Sequence, residues 1–145
     1  SRLIFADHLS NHDNHLARYQ LADLFLDTFP YNAHTTALDA LWSGLPLLTC
    51  TGKTFTSRVA ASLLKAINMP ELITHFSKDF ESKAIEIASC PIKFEEIKNK
   101  LINNKYKEPL FNGDIFKDNF EAALKKMYLN YKLGLKPKSF EIQNK

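Results

Sequence analysis

Short apolar runs alternate with helical segments in the first half of the sequence, and this alternation allows few architectures. The apolar runs lie at residues 3–6 (LIFA), 24–29 (LFLDTF) and 45–50 (LPLLTC). A helical segment follows each run, ending near Ala22, opening near Asn32, and covering residues 57–67. Such alternation predicts parallel strands joined by helical crossovers, with ligands at the carboxyl ends of the strands. We therefore expect an α/β fold, a Rossmann-like parallel sheet with flanking helices.

The second half is predicted to be mostly helical. A very short strand is expected at Leu72 and Ile73, then amphipathic helices over residues 78–89 and 93–103, separated by Pro91. A long last helix is expected from about residue 115 to 131. Its apolar residues recur at spacings of three and four: Phe116, Phe120, Leu124, Met127, Tyr128 and Tyr131. We expect this aromatic stripe to pack into the core; the alternative is that part of it covers something outside the chain.

Size and composition limit the remaining choices. With 145 residues, of which 45% are hydrophobic, the chain suits one globular domain. We assign residues 1–134 to that domain and residues 135–145, which lack periodicity, to a loose tail. Neither export nor membrane spanning is expected, since the start lacks a signal pattern and no run of 18 apolar residues occurs.

Charge and cysteine content exclude further classes. The net charge of +3 comes from a basic excess after residue 90, on predicted helices whose lysines form a solvated face, so no nucleic-acid partner is expected. Cys50 and Cys90 lack metal-ligand spacing and suit reduced thiols in a cytoplasmic protein. We expect no metal.

The stretch NAHTTALDALWSGLP, residues 32–46, carries the strongest candidate site. His34, Thr35 and Thr36 stand where a helix begins, just after the second predicted strand. Free N–H groups and the helix dipole make such a start suitable for a diphosphate. Asp39 shares a helical face with the two threonines and is placed to accept hydrogen bonds from ribose hydroxyls. A threonine helix cap with a solvent-facing aspartate explains the same residues equally well.

Two further motifs are weaker. His12, His15 and Arg18 recur at spacings of three, so Arg18 is placed to bind a nucleobase carbonyl and His15 to stack or donate. An exposed polar face is the simpler interpretation, and two histidines without a third ligand are weak evidence for metal. The segment TGKTF, residues 51–55, lacks P-loop spacing and is interpreted as a strand-to-helix turn, with Lys53 and the amides near Thr54 as minor ligand candidates.

The run HLARYQLADLFLDTFPYNAHTTALDALWSGLPLLTCTGKTFTSRVAASLL, residues 15–64, closely resembles the C-terminal part of the catalytic region of bacterial O-linked N-acetylglucosamine transferase-like proteins of the SPINDLY type. The similarity continues through PELI and residues 108–111 to the last helix. The resemblance implies the C-terminal, nucleotide-sugar-binding lobe of a two-lobed GT-B glycosyltransferase, incomplete at its N-terminus.

The resemblance also implies roles for the site residues. His34, Thr35 and Thr36 are expected to bind the donor diphosphate, Asp39 the ribose, and His15 with Arg18 the uracil. A ribose-binding lysine of the animal enzymes falls near His12 and is not kept here. The donor implied is UDP-N-acetylglucosamine, with GDP-fucose, the donor of plant SPINDLY relatives, left open.

The chemistry implied is metal-independent, inverting transfer of a sugar to a protein serine or threonine. In the resembling family, a further donor-binding lysine, the acceptor surface and the other lobe precede the segment that matches Ser1. We therefore expect no catalytic residue and no measurable transferase activity in this chain alone, with the acceptor protein bound through regions outside it. The rival is a silent assembly module that pairs with another chain through its sheet edge and aromatic last helix; self-association is expected only through the exposed sheet edge.

Overall fold

The computed structural model describes residues 2–142 and contains a three-stranded parallel sheet with flanking helices. Three single turns of 3-10 helix interrupt the order, at Tyr19–Leu21, Pro70–Leu72 and Pro109–Phe111. The strands and α-helices, in chain order, are α1 His12–Arg18, β1 Phe25–Leu26, α2 Thr35–Trp42, β2 Leu47–Cys50, α3 Val59–Ala66, β3 Ile73–Thr74, α4 Ser77–Ser89, α5 Pro91–Lys105 and α6 Gly113–Lys132.

The sheet has the order β1-β2-β3, with both outer strands parallel to β2. Phe25 pairs with Leu47 on one side, and Thr49 pairs with Ile73 on the other. All four residues of β2 are buried, as expected for a central parallel strand covered by helices on both faces. The predicted Rossmann-like α/β class is confirmed.

The hydrophobic core surrounds β2 and is built from residues of α2 to α5. Small alanines on α2 and α3 let these helices approach the sheet closely, and leucines fill the space between them. The fully buried members of the core include Ala37, Leu41, Leu47, Leu48, Ala60, Leu64, Ile67, Met69, Leu72 and Leu101.

The predicted first strand at residues 3–6 is wrong. This segment has no regular secondary structure, and Ile4 and Phe5 are 90% and 91% exposed. A short apolar run becomes a strand only where a neighbouring strand offers hydrogen bonds and a covering layer, and here β1 forms the edge of the sheet. The sequence pattern shows the run but not its partner.

The other elements agree with the predictions to within a few residues. Only Phe25 and Leu26 of the predicted second strand are paired, and the short third strand begins one residue late, at Ile73. Gly44 adopts φ +83° after α2, and the amides of Gly44 and Leu45 donate back to Leu41 and Ala40. The sequence predicts such a left-handed helix end, because glycine readily adopts positive φ and Pro46 blocks further helix.

The aromatic stripe of α6 does not join the core, so that prediction is wrong. No residue of α6 is buried, and Phe116 and Tyr131 are 68% and 80% exposed. The helical spacing of Trp42 with Leu38 and Leu41 predicts that it faces the core, but Trp42 is 44% exposed and lies against Phe111. Periodicity identifies an apolar helix face but does not show which surface covers it.

The C-terminal tail carries no regular secondary structure over residues 135–142, where Phe140 lies beneath the Lys126 ammonium. The rest of the predicted tail, residues 143–145, lies outside the described residues, as does Ser1. Within residues 2–142, no helix combines the length and apolar character needed to cross a membrane.

Core packing around β2 makes a stability prediction. Leu64→Ala removes a fully buried side chain and leaves a cavity, so we expect a loss of about 2–5 kcal/mol in the free energy of unfolding. Urea denaturation followed by circular dichroism measures it. Ile92→Ala, on an exposed position of α5, is the control and should change stability by less than about 0.5 kcal/mol. Equal losses in the two variants would contradict the assignment of the core.

Candidate functional site

A buried carboxylate organises the loop between β1 and α2. Asp27 is 8% exposed; its Oδ1 accepts hydrogen bonds from the amides of Thr28 (2.8 Å) and Ala33 (2.7 Å). Its Oδ2 accepts from the Thr49 hydroxyl at 2.6 Å. One side chain thus joins the beginning of the loop, its end and the central strand. The position at which α2 begins is fixed by this carboxylate.

Asn32 connects the same loop to the loop that follows β2 through hydrogen bonds. Its side-chain amide donates to the Thr28 carbonyl at 2.7 Å, and its backbone amide donates to the Thr56 carbonyl at 3.1 Å. The side chain is fully buried. Both loops leave the carboxyl ends of their strands, so Asn32 holds together the edge of the sheet where parallel α/β folds bind ligands.

The first turn of α2 presents unoccupied N–H groups. His34 is the N-cap residue, and its side chain makes no capping bond. Among the described residues, no protein group accepts a hydrogen bond from the amides of Thr35, Thr36 or Ala37. The first helical hydrogen bond runs from Leu38 to the His34 carbonyl. The threonine-cap alternative is therefore wrong, and the amides remain available to an anion.

The His34 ring is packed but lacks a hydrogen-bond partner. It stacks on Tyr31 at 5.2 Å between ring centroids and meets the edge of Phe55 at 6.2 Å. Its Nε2 is buried and without a partner within residues 2–142. Buried polar atoms are nearly always satisfied in native proteins, and among the described residues His34 Nε2 shares the lack of a partner with Asn32 Oδ1 and Ser43 Oγ.

The structure brings His15, Arg18 and Asp39 together beside α2. The Arg18 guanidinium donates to His15 Nδ1 at 3.2 Å and to the Asp7 carbonyl at 2.6 Å. His15 Nε2 lies 3.9 Å from an oxygen of Asp39. No protein group donates a hydrogen bond to the Asp39 carboxylate among the described residues, so both oxygens can accept from a ligand.

The hydrogen bond from Arg18 assigns the tautomer of His15. A guanidinium only donates, so Nδ1 must accept and the ring proton must lie on Nε2, facing Tyr19 and Asp39. The Tyr19 hydroxyl is 3.4 Å from that nitrogen. Burial, and then the charge of Asp39, raise the pKa of Tyr19, so the phenol stays protonated at neutral pH.

His15 and Arg18 line a pocket of about 340 Å³ with Tyr19 and the edge strand β1. The lining of this pocket does not include His34, Thr35 or Thr36, which lie at the beginning of α2. Asp39, one turn along α2 from Thr35, stands between the two parts of the site. The six predicted residues therefore form two adjacent groups with Asp39 between them.

The minor candidates contribute less. His12 stacks on His15 at 6.4 Å between ring centroids. Lys53 is exposed, and the Thr54 amide already donates to Ser57 at 3.1 Å. Throughout residues 2–142, no three His, Cys, Asp or Glu side chains are grouped so as to hold a metal ion.

The profile of glycosyl transferase family 41 matches residues 1–120. The chain belongs to this family. A probable UDP-N-acetylglucosamine–peptide N-acetylglucosaminyltransferase SPINDLY of Hordeum vulgare is 33% identical over 127 residues, which is 88% of this chain and 13% of that protein. The Caenorhabditis elegans UDP-N-acetylglucosamine–peptide N-acetylglucosaminyltransferase is 31% identical over 93% of this chain and 12% of its own length.

A solved structure agrees with the fold of this family 41 chain. A mutant of the Thermobaculum terrenum O-GlcNAc transferase superposes with a TM-score of 0.70 at 27% identity, over 81% of this chain and 22% of that one. The chain thus spans about 13% of the length of the curated relatives it matches. The resemblance stated from residues 15–64 is confirmed.

Sequence reasoning missed the residues that support this candidate site. Asp27 and Asn32 position the loop, and Tyr19 packs against His15. The available signal was an acidic residue directly after an apolar strand, at the edge where parallel strands end. The pattern did not distinguish a structural carboxylate from an exposed one.

The buried carboxylate makes a second prediction. Asp27→Ala leaves the Ala33 amide and the Thr49 hydroxyl without their acceptor, so we expect a loss of about 3 kcal/mol in the free energy of unfolding. Urea denaturation measures it, with Asp23→Ala, four residues away and exposed, as the matched control. If both variants lose the same stability, Asp27 does not organise the loop.

Proposed function

We propose that this chain is the donor-binding, C-terminal lobe of a GT-B protein O-glycosyltransferase. The donor is a nucleotide sugar of the UDP-N-acetylglucosamine type, and the acceptor is a serine or threonine of a protein. The relatives are named as UDP-N-acetylglucosamine–peptide transferases, and the chain covers only a small part of each. Its own share of the reaction is argued from its site.

The unoccupied first turn of α2 carries the proposal. The amides of Thr35, Thr36 and Ala37 have no protein acceptor, and the helix dipole adds roughly half a positive charge at that end. Both threonine side chains are exposed and can add hydroxyl donors. His34, with its unpartnered Nε2, stands directly before them. A diphosphate matches this set of donors in charge and in hydrogen-bonding capacity.

The second group of residues suits the nucleoside. Asp39 offers a carboxylate without hydrogen-bond donors of its own, as ribose hydroxyls require. Arg18 uses one nitrogen for His15 and another for Asp7, so the guanidinium is held in place while its remaining N–H groups can reach a base carbonyl. His15, oriented by Arg18 and Tyr19, offers a ring face to the base.

This site supplies one part of the chemistry. Breaking the bond between sugar and diphosphate leaves negative charge on the phosphate, and preorganised amides stabilise that charge without a cation. The proposal therefore includes no metal and no other cofactor. It also assigns the catalytic groups and the acceptor surface to regions outside this chain, so the chain alone should bind donor without transferring sugar. A cytoplasmic location is part of the same proposal.

The exposed face of α6 favours a second function, that of an assembly module. The exposed apolar face of α6 suits an assembly module that has lost catalysis, and each outer strand of the sheet offers a further edge. These outer strands are only two residues long, which makes edge pairing the weaker of the two routes.

Nucleotide titration followed by amide chemical shifts tests the donor site. We expect saturable shifts at Thr35, Thr36 and Ala37 with UDP, and binding of UDP at least about tenfold tighter than of uridine, because only UDP reaches the amides. GDP is compared directly, and it identifies the base that the site prefers.

Asp39→Ala should weaken UDP binding about five- to tenfold, through loss of the ribose acceptor. Glu95→Ala, on an exposed position of α5 far from the site in sequence, is the control and should bind like the parent chain. Absence of saturable shifts in the first turn of α2, with the fold intact by circular dichroism, would refute donor binding. Sugar transfer by the chain alone would refute the assignment of the catalytic groups to regions outside this chain.

A further inference from the structure

Tyr19 contacts both His15 and the edge strand of the sheet. It follows His15 by four residues, so the two side chains lie one helical turn apart on the same face, at the end of α1. The two rings meet edge to face, with centroids 5.2 Å apart and an interplanar angle of 80°. The Tyr19 ring also lies 6.5 Å from the ring of Phe25 in β1, and Phe25 packs against the hydrophobic core. The sheet therefore supports Tyr19, which in turn supports His15.

The ring proton of His15 has two side-chain oxygens near it, and only one is within hydrogen-bonding distance. Because Nδ1 accepts from Arg18, the proton is on Nε2. The Tyr19 hydroxyl oxygen is 3.4 Å from Nε2, whereas Asp39 Oδ2 is 3.9 Å from it. A separation of 3.9 Å is too long for a hydrogen bond between nitrogen and oxygen. His15 therefore donates to Tyr19 and not to Asp39.

The Tyr19 hydroxyl is a neutral phenol whose oxygen is free to accept this proton. Burial, and then the charge of Asp39, raise the pKa of Tyr19, while the charge of Arg18 lowers it by less. Throughout residues 2–142, no protein group other than His15 lies within hydrogen-bonding distance of this hydroxyl. The lone pairs of the oxygen are therefore available to the Nε2 proton, and no other donor competes for them.

We propose that Tyr19 is a positioning residue that keeps the Asp39 carboxylate available to the ribose of the donor. The Tyr19 oxygen accepts the Nε2 proton of His15, so His15 does not donate to Asp39. Both oxygens of Asp39 then stay without a protein donor among the described residues. This inference rests on the donor-binding function proposed for the chain, and it adds a residue that acts on the ribose contact through His15 and Asp39.

Loss of the Tyr19 hydroxyl would turn His15 toward Asp39. Hydrogen bonds from nitrogen to oxygen span about 2.7–3.2 Å, so Nε2 and Asp39 Oδ2 need to approach by only about 1 Å. A bond to a carboxylate is also stronger than a bond to a neutral hydroxyl. With Tyr19 present, its hydroxyl and the bond from Arg18 to Nδ1 hold the ring in its present orientation. Without the hydroxyl, Nε2–H has Asp39 as its nearest acceptor, and this new bond competes with the ribose.

Packing alone would give Tyr19 a different role, and the two roles depend on different atoms. The edge-to-face contact with His15 and the contact with Phe25 are made by the aromatic ring, which phenylalanine keeps. The contact with His15 Nε2 is made by the hydroxyl, which phenylalanine lacks. Tyr19→Phe therefore removes the proposed positioning role and leaves the packing role in place.

Isothermal titration calorimetry of UDP binding to the full chain tests the proposal. We expect Tyr19→Phe to raise the dissociation constant of UDP about three- to fivefold, because His15 then competes for Asp39. The dissociation constant of 2′,3′-dideoxyuridine diphosphate, which lacks both ribose hydroxyls, should change by less than about twofold. Tyr106→Phe removes a hydroxyl from an exposed tyrosine after α5 and is the matched control, which should bind both nucleotides like the parent chain.

Two further measurements show whether the effect passes through Asp39. The double variant Tyr19→Phe, Asp39→Ala should bind UDP no more weakly than Asp39→Ala alone, because the two residues act on one contact. In the ligand-free chain, Tyr19→Phe should shift the carboxyl ¹³C resonance of Asp39, since His15 then donates to it, and Tyr106→Phe should not. Circular dichroism checks that each variant keeps the fold.

The outcomes separate this inference from the donor site itself. A parent chain that does not bind UDP would refute the donor site, and the role of Tyr19 with it. Where the parent binds UDP, an unchanged affinity in Tyr19→Phe, or equal losses for UDP and the dideoxy nucleotide, would overturn the role of Tyr19 alone. Additive losses in the double variant, or an Asp39 resonance that does not move, would overturn it as well.

Discussion

The carboxylate of Asp27 is the interaction on which the candidate site depends. A buried anion is tolerated only where hydrogen bonds replace its lost hydration, and Asp27 has three donors at distances of 2.6–2.8 Å. These donors belong to both ends of the loop and to β2. The carboxylate therefore holds the loop between β1 and α2 in one conformation. Because the loop ends on His34, the direction in which the first amides of α2 point is determined by a contact made on the far side of the loop.

The two ends of α2 differ in whether their backbone groups are hydrogen-bonded within the protein. At its C-terminus the orphan carbonyls of Ala40 and Leu41 accept from the amides of Leu45 and Gly44, so that end is satisfied locally. At its N-terminus the corresponding donors have no partner in the described chain. Ala37 and Leu41 anchor the helix in the core. The helix is thus anchored by one buried face, while the N–H groups at its N-terminus have no protein acceptor in the described chain.

How far the sequence predicts this structure depends on whether the deciding contact is local. Helices with clear periodicity, such as α3 and α4, are predicted to within two residues because their pattern repeats within a few residues. The end of α2 is predicted because Gly44 is suited to a positive φ. The candidate residues His34 to Asp39 are also proposed on local grounds, since the start of a helix after a strand is visible in sequence.

The missed features all depend on contacts between distant residues. Residues 3–6 form no strand because that depends on a neighbour across the sheet. The hydrogen bond from Thr49 to Asp27 joins residues 22 positions apart, so sequence spacing does not predict it. The α6 stripe shows the same limit in another form, since a helical pattern marks an apolar face equally well whether the covering surface belongs to the same chain or to another molecule. The core around β2 is complete without the α6 stripe, so the apolar pattern of this helix reflects a requirement other than packing within that core.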